Sequence, residues 1–293
     1  MSSPHDASGV ELRHLRAFVA VAEERNFTRA AVRVNLTQPA LSRTIAQLER
    51  MLGTALFVRD RRSVEPTRAT GPLLVHSRRV LAALDDAVTE ARGGPSLRVG
   101  FTWGSTAEYI APVVRAFERE HPEVEVQLTR FDDTLAGLAD GRAHLGFVPG
   151  VPADGRLRTL VLVDERRVAA LATAHPLADR AEVSLNDLAP DNIVINVVSG
   201  TTRLDLWDPA DRPDTVLVRN VDEWMEAIAT GRGVGLTPAS TSRLYTHPGI
   251  RYIPVTDAPH VPIVLAWPHG PTYPFVEEFV AAAARTHSPD VSR

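Results

Sequence analysis

Residues 26–59 read N-F-T-R-A-A-V-R-V-N-L-T-Q-P-A-L-S-R-T-I-A-Q-L-E-R-M-L-G-T-A-L-F-V-R. Thr28 is placed to cap a short helix, Arg29 to Val34, whose Ala30 and Ala31 allow close packing. Asn35 and Leu36 form a turn. Thr37 caps a second helix, and Pro39 falls in its first turn, where a missing N–H costs little. Leu41, Ile45, Leu48 and Leu52 then make one apolar stripe, with Pro39, Arg43, Ala46 and Arg50 opposite and Ser42 and Gln47 flanking. One face is anchored in a small core. The other offers short polar groups and an arginine that can reach base edges in a major groove.

Working outward, Leu12, Leu15, Phe18, Val19 and Ala22 predict an earlier helix over Leu12 to Glu24. Gly53 ends the recognition helix. Leu56-Phe57-Val58 and Val64-Glu65 predict a hairpin around the basic tip Arg59-Asp60-Arg61-Arg62-Ser63, a wing for phosphates or the minor groove. Leu74, Leu81, Leu84 and Val88 mark a long helix from Leu73 to Arg92, and Gly93-Gly94-Pro95 reads as a hinge.

The ordered pattern F-T-R-A-A (27–31), T-Q-P-A-L-S-R (37–43), L-E (48–49), L-G (52–53) and L-F-x-R (56–59) resembles the DNA-binding domain of the LysR family. The resemblance implies that Gln38, Pro39, Ser42 and Arg43 lie at the DNA, with Thr28 and Thr37 on phosphates and Arg59, Arg61 and Arg62 around the wing; Gln47, flanking the same helix face, is a further expected DNA contact. It also implies that the long helix pairs with its twin in a dimer, since a solvated helix of that length is marginal alone. One departure is Thr70, where the family usually has Gly. Gly71-Pro72 follows directly, so the start of the long helix is expected to be bent or shifted.

The remaining chain alternates strand and helix. Leu97–Phe101, Val124–Leu128 and Leu145–Val148 read as strands; Ile110, Val113, Val114 and Phe117 mark a helix; Leu135 and Leu138 suggest a short one. A second unit follows, with strands at Val168–Thr173, Asn192–Val197, Val216–Val218 and Val234–Thr237. Its helices are Val183–Leu188, one through Trp224, Met225 and Ile228, and Ala239–Tyr245. A strand at Ile263–Trp267 and a helix at Tyr273–Arg285 close the chain. Such alternation predicts parallel sheets. The phrases L-R-V-G, F-E-R-E-H-P-E-V, L-A-D-G-R-A-H-L-G-F, H-P-L-A, S-L-N-D-L-A and A-T-G-R-G-V-G-L-T-P resemble the LysR effector domain, with its two-lobed fold like that of periplasmic binding proteins. His144 departs from the pattern, standing where the family usually has Asp.

The expected fold is therefore an α+β multidomain chain. A winged helix-turn-helix spans 1–67, a linker helix and hinge 68–95, and a two-lobed α/β effector domain 96–293. Lobe 1 takes about 96–163 and 268–293, lobe 2 about 164–267, with crossings near Val163 and Trp267. Ligands of two-lobed α/β proteins bind near strand C-termini and helix N-termini in the cleft. Those positions hold Thr102, Trp103, Ser105, Thr106, Phe131, Phe147, Val148, Asn196, Thr201, Thr202 and Thr237. Ser105 and Thr106 fit an anion as well as they fit simple N-capping. Trp103 and Phe131 fit the core as well as a ligand, and Trp224 reads as a packed helix residue.

Composition narrows the function. The chain has 293 residues, no Cys and ten scattered His, so thiol chemistry is excluded and neither a metal site nor a cofactor is expected. No apolar run nears the roughly 18 residues of a membrane span and no secretion signal is read, so a cytoplasmic protein is expected. Residues 1–94 carry 14 Arg against 10 acidic residues (+4), and the rest carry 18 against 26 (−8). A basic N-terminal third on an acidic chain suits nucleic acid. No catalytic constellation is found: 231–235 lacks the spacing of a nucleotide loop and no G-x-S-x-G occurs. The expectation is a non-enzymatic transcriptional regulator on a two-fold-related DNA site, a homodimer or homotetramer, with a small-molecule effector (an anion is favoured by the helix N-terminus) and RNA polymerase as a further partner. The alternative is a solute-binding or enzymatic α/β protein with a basic helical N-terminus.

Overall fold

A computed structural model of the chain describes residues 9–59, 64–103, 107–270 and 273–287. It divides into two compact units, Met1–Gly93 with Ala139–Arg142, and Gly94–Leu138 with Ala143–Arg293.

The first unit opens with α1 (Leu12–Glu24), α2 (Phe27–Arg33) and α3 (Gln38–Leu52). The cap of α2 is Asn26, not Thr28: its side chain accepts from Thr28 N at 2.9 Å and Arg29 N at 3.0 Å. Starting the helix at Phe27 puts Phe27, Ala30 and Ala31 on one buried face. Thr37 caps α3, accepting from Ala40 N at 3.4 Å, and Gly53 ends it at φ 66°. Leu41, Ile45 and Leu48 are fully buried against Phe18, Val21 and Phe57, whereas Leu52, the fourth expected stripe residue, is 39% exposed. Strands β1 (Phe57–Arg59) and β2 (Val64–Pro66) pair antiparallel as the wing's base. Its tip, with the predicted Arg61 and Arg62, lies outside the described residues.

The long helix α4 runs Thr70–Gly93, beginning three residues earlier than expected. Thr70 is buried and donates its hydroxyl to the Leu56 carbonyl, tying the helix start to the wing's base. Pro72 sits in the first turn, where no helical N–H is needed. Only Thr70 and Ser77 of these 24 residues are buried.

The second unit has two lobes. Lobe 1 is a five-stranded sheet, ordered β4 (Glu125–Arg130), β3 (Ser96–Phe101), β5 (Leu145–Pro149), β12 (Val261–Pro268), β6 (Leu157–Glu165). The first three strands are parallel, and β12 is antiparallel to β5 and β6. Helices α5 (Ala107–Glu120) and α9 (Val276–His287) cover one core of this sheet, with Phe117, Phe147 and Phe279 fully buried. The short helix expected at Leu135–Leu138 is instead a run of turns, because Ala136 and Gly137 take φ of 52° and 80°. Asp133 satisfies those turns, accepting from Leu135 N and Gly137 N at 2.9 and 3.1 Å.

Lobe 2 holds β7 (Arg167–Ala172) between β10 (Gly235–Pro238) and β11 (Ile250–Pro254), all antiparallel, so the expected second parallel sheet is corrected. Strands β8 (Ile193–Asn196) and β9 (Thr215–Val218) pair in parallel. Helices α6 (Leu185–Leu188), α7 (Val221–Ala229) and α8 (Ser240–Leu244) complete the lobe. Because β12 lies in the lobe 1 sheet, the chain returns before Val261, not near Trp267. It leaves lobe 1 after Glu165, two residues past the predicted Val163.

Candidate DNA interface and effector cleft

The solvent face of α3 carries Gln38, Pro39, Arg43, Ala46, Gln47 and Arg50, all exposed, with Ser42 half-buried at its edge. Of the two arginines on this face, Arg50 donates back to Ala46 O at 3.3 Å, which leaves Arg43. Arg29 and Arg33 are engaged by Glu24 and Glu23, at 3.2 and 2.6 Å. Arg43 is exposed and pairs with no carboxylate among the described residues, so its guanidinium is free for an incoming acceptor. Thr28 lies in the first turn of α2 and Thr37 caps α3, both exposed. Arg59 ends β1. Glu49 links recognition helix and wing: one carboxylate oxygen accepts from Leu56 N at 2.8 Å and Phe57 N at 3.2 Å. Sequence reasoning missed that link, although an acidic residue on the buried flank of a recognition helix was a usable signal.

In the second unit a cavity of about 20 Å³ lies between the lobes. From lobe 1 it is walled by Trp103 and Pro149. From lobe 2 come Asn196, the Ser199–Thr202 loop, Trp224, and Leu236–Pro238 with Thr241. Five predicted residues meet here: Trp103, Asn196, Thr201, Thr202 and Thr237. Four others do not. Phe147 and Val148 are fully buried in the lobe 1 core, because β5 is the central strand and both its faces are covered. Phe131 packs with Ala136 and Leu138, and Thr102 is buried beside β5, its N–H donating to Phe147 O at 3.4 Å. Ser105 and Thr106 lie outside the described residues. Trp224, read from sequence as a packed helix residue, both packs and lines the cavity.

The loop after β8 is built by Asn196, whose side-chain oxygen accepts from Val198 N and Ser199 N at 3.0 and 3.3 Å. Gly200 is required there, since a Cβ would meet Asn196 O at 2.4 Å. Behind the loop stands Arg167, buried at 7% exposure. It donates to Thr201 O at 3.2 Å, Thr201 Oγ1 at 3.4 Å and Pro259 O at 2.9 Å. Burial pulls the Arg167 guanidinium down to about 10, so it is charged at neutral pH. No carboxylate pairs with it among the described residues, which leaves a buried positive charge behind the cavity wall.

Two contacts tie the lobes on one side. Arg243 of α8 grips Glu108 of α5 through both carboxylate oxygens, at 2.6 and 2.9 Å, and this bond holds the Glu108 carboxyl below its ordinary range. Tyr109 donates to Glu165 at the crossing, and Glu165 also accepts from Ser240 N at 2.9 Å. Burial and these carboxylates push the Tyr109 phenol up.

Among the described residues no group of His, Asp and Glu is arranged to hold a metal, and no helix is long and apolar enough to cross a membrane. Residues 12–70 match the family described as bacterial regulatory helix-turn-helix protein, lysR family, and residues 91–288 match the LysR substrate binding domain. The uncharacterized HTH-type transcriptional regulator YnfL of Escherichia coli (strain K12) is 34% identical over 88% of this chain and 92% of its own length. BenM, an HTH-type transcriptional regulator of Acinetobacter baylyi, is 29% identical over 88% of this chain and 90% of its own. The fold is shared with crystal structures of CbnR. The full-length protein with its target DNA aligns at TM-score 0.64 and 25% identity, covering 94% of this chain and 100% of that one. The free regulator aligns at TM-score 0.68 and 24% identity, over 96% and 100%. The chain belongs to the LysR family of DNA-binding transcriptional regulators.

Proposed function

We propose that this regulator reads a two-fold-related duplex site by placing α3 in the major groove and the wing, with Arg59, Arg61 and Arg62, on the flanking backbone. The observation that carries this reading is Arg43: a guanidinium without a partner among the described residues, on a helix whose opposite face is buried in a core. Helix α4 is about 36 Å long, buries only Thr70 and Ser77 and leaves Val80 and Val88 exposed in one copy, which supports pairing of two copies as a homodimer or, through a second interface, a homotetramer.

The cleft takes a small effector, and the charge of Arg167 behind the Thr201 loop favours an anion. Effector binding then shifts the arrangement of the oligomer and its contacts with the promoter and RNA polymerase. The experiment is fluorescence anisotropy on duplexes from upstream of the regulator's own gene, across a salt series. Wild type binds one duplex well above a random one. Arg43→Ala loses about 1–3 kcal/mol there and little on the random duplex. Equal losses on both duplexes would make Arg43 a phosphate contact and refute base readout.

A further inference from the structure

Trp103 belongs to lobe 1 by chain and to lobe 2 by packing. It follows β3, yet every other buried residue of its apolar cluster, from Ala170 through Val194, Trp224 and Ile228 to Ile250, belongs to lobe 2. Its ring lies 5.8 Å from Trp224 and meets Tyr245 edge-on at 5.9 Å. That geometry is what an aromatic guest in an aromatic compartment adopts. Beside it remains a cavity of about 20 Å³, too small for a second ring.

The indole N–H adds a second observation. Trp207 and Trp224 donate theirs to carbonyls, Leu185 O at 2.9 Å and Val194 O at 3.0 Å. The Trp103 N–H is buried and has no acceptor among the described residues. A buried donor left open is costly, and a bound acceptor would relieve it. Of the hydroxyls nearby, Thr202 donates to Leu236 O at 2.6 Å, and Thr237 and Thr241 bond each other at 2.8 Å.

We infer that the Trp103 indole is a built-in occupant of the cleft's aromatic compartment. It restricts the effector to a compact carboxylate that accepts the Trp103 N–H, and it excludes ring-bearing ligands. The inference rests on the cleft being the effector site, and the test separates the two. Full-length wild type, Trp103→Ala and Trp103→Phe are titrated calorimetrically with acetate, indole and indole-3-carboxylate, and their melting midpoints recorded. Trp103→Leu replaces the alanine variant if that one fails to fold.

Wild type binds acetate and neither indole compound. Trp103→Phe binds acetate about tenfold more weakly, having lost the donor, and still rejects indole. Trp103→Ala takes up indole, which raises its midpoint by roughly 5–10 °C at about a hundredfold excess over Kd and leaves wild type unmoved. A folded Trp103→Ala that ignores indole overturns the occupancy, while acetate binding by wild type would leave the effector reading standing. Wild type binding indole-3-carboxylate as well as acetate overturns the size limit. Indole uptake by Trp103→Ala without acetate binding by any form overturns the compact-carboxylate assignment and the anionic reading of the cleft with it.

Discussion

Glu49→Ala should loosen the wing without touching the reading face of α3. Both backbone donors, Leu56 N and Phe57 N, converge on the same oxygen of a half-buried carboxylate, at 2.8 and 3.2 Å. A hydrogen bond to an ionised acceptor is worth about 1.5–3 kcal/mol net, and the longer of the pair falls at or below the low end. Regained side-chain freedom on truncation offsets some of that sum. The expected loss is about 2–3 kcal/mol, a factor of about 30–150 in local opening. Residue-resolved hydrogen exchange reads it directly, since the Leu56 and Phe57 amides should lose that factor of protection while those of Ile45 and Leu48 change less. Glu49→Gln keeps an oxygen in the same place and should lose about 1 kcal/mol. DNA affinity of Glu49→Ala should fall with a shallower salt slope, because wing arginines leave their phosphates. Unchanged protection of both amides would refute the reasoning. So would Glu49→Gln behaving like Glu49→Ala, since that would mean charge and not acceptor position holds the wing.

Arg167→Met keeps the stem and removes the charge. Its stability should change by no more than about 1–2 kcal/mol, because relief of a burial penalty near 3 kcal/mol opposes the loss of bonds to Thr201 and Pro259. Acetate affinity should fall more than tenfold by calorimetry, and an unchanged affinity would remove Arg167 from the effector site. His144 makes stability depend on pH. Burial, helped by the Arg98 charge, lowers it from 6.5 to about 3, so the folded state prefers the neutral ring. The stabilisation is complete above pH 6.5 and is lost as pH falls toward 3, at up to about 1.4 kcal/mol per unit. Urea unfolding of the effector domain should thus weaken by about 2 kcal/mol between pH 6.5 and 5. In His144→Gln that slope should largely vanish, and an equal slope in both proteins would assign it elsewhere.

The DNA-reading half was legible because its signals are local. The stripe Leu41, Ile45 and Leu48, the cap at Thr37 and the stop at Gly53 lie within one helix, and the structure uses each of them. The one misplaced cap, Thr28 for Asn26, has the same source: two capping residues stand two apart, and only burial of Phe27 with Ala30 and Ala31 chooses between them. The effector half was legible in its elements and not in its pairing. Strands β6 and β11 escaped notice, although Gly249 and Pro254 bound the second, because both are edge strands whose partners lie far along the chain. Missing β6 and the antiparallel course of β12 then misplaced the lobe boundary. The cleft suffered most. By sequence a strand's C-terminal end reads as exposed to ligand, but on the central strand β5 Pro149 reaches the cavity while Phe147 and Val148 stay in the core.

The two departures from the family pattern explain how the fold tolerates them. At Thr70 a glycine would leave the Leu56 carbonyl without the hydroxyl that now bonds it, so the substitution adds a tie between wing and helix at the point where a bend was expected. At 144 an aspartate would be a charge in a buried place. The histidine instead stacks on Tyr273 at 3.8 Å with its ring nitrogen accepting from Arg98 N at 3.1 Å, and it stays neutral. In both cases a side chain that breaks the pattern satisfies a backbone group nearby. The departures therefore alter how each joint is held and how it responds to acid, and they leave the reading face of α3 and the cleft wall where the rest of the sequence puts them.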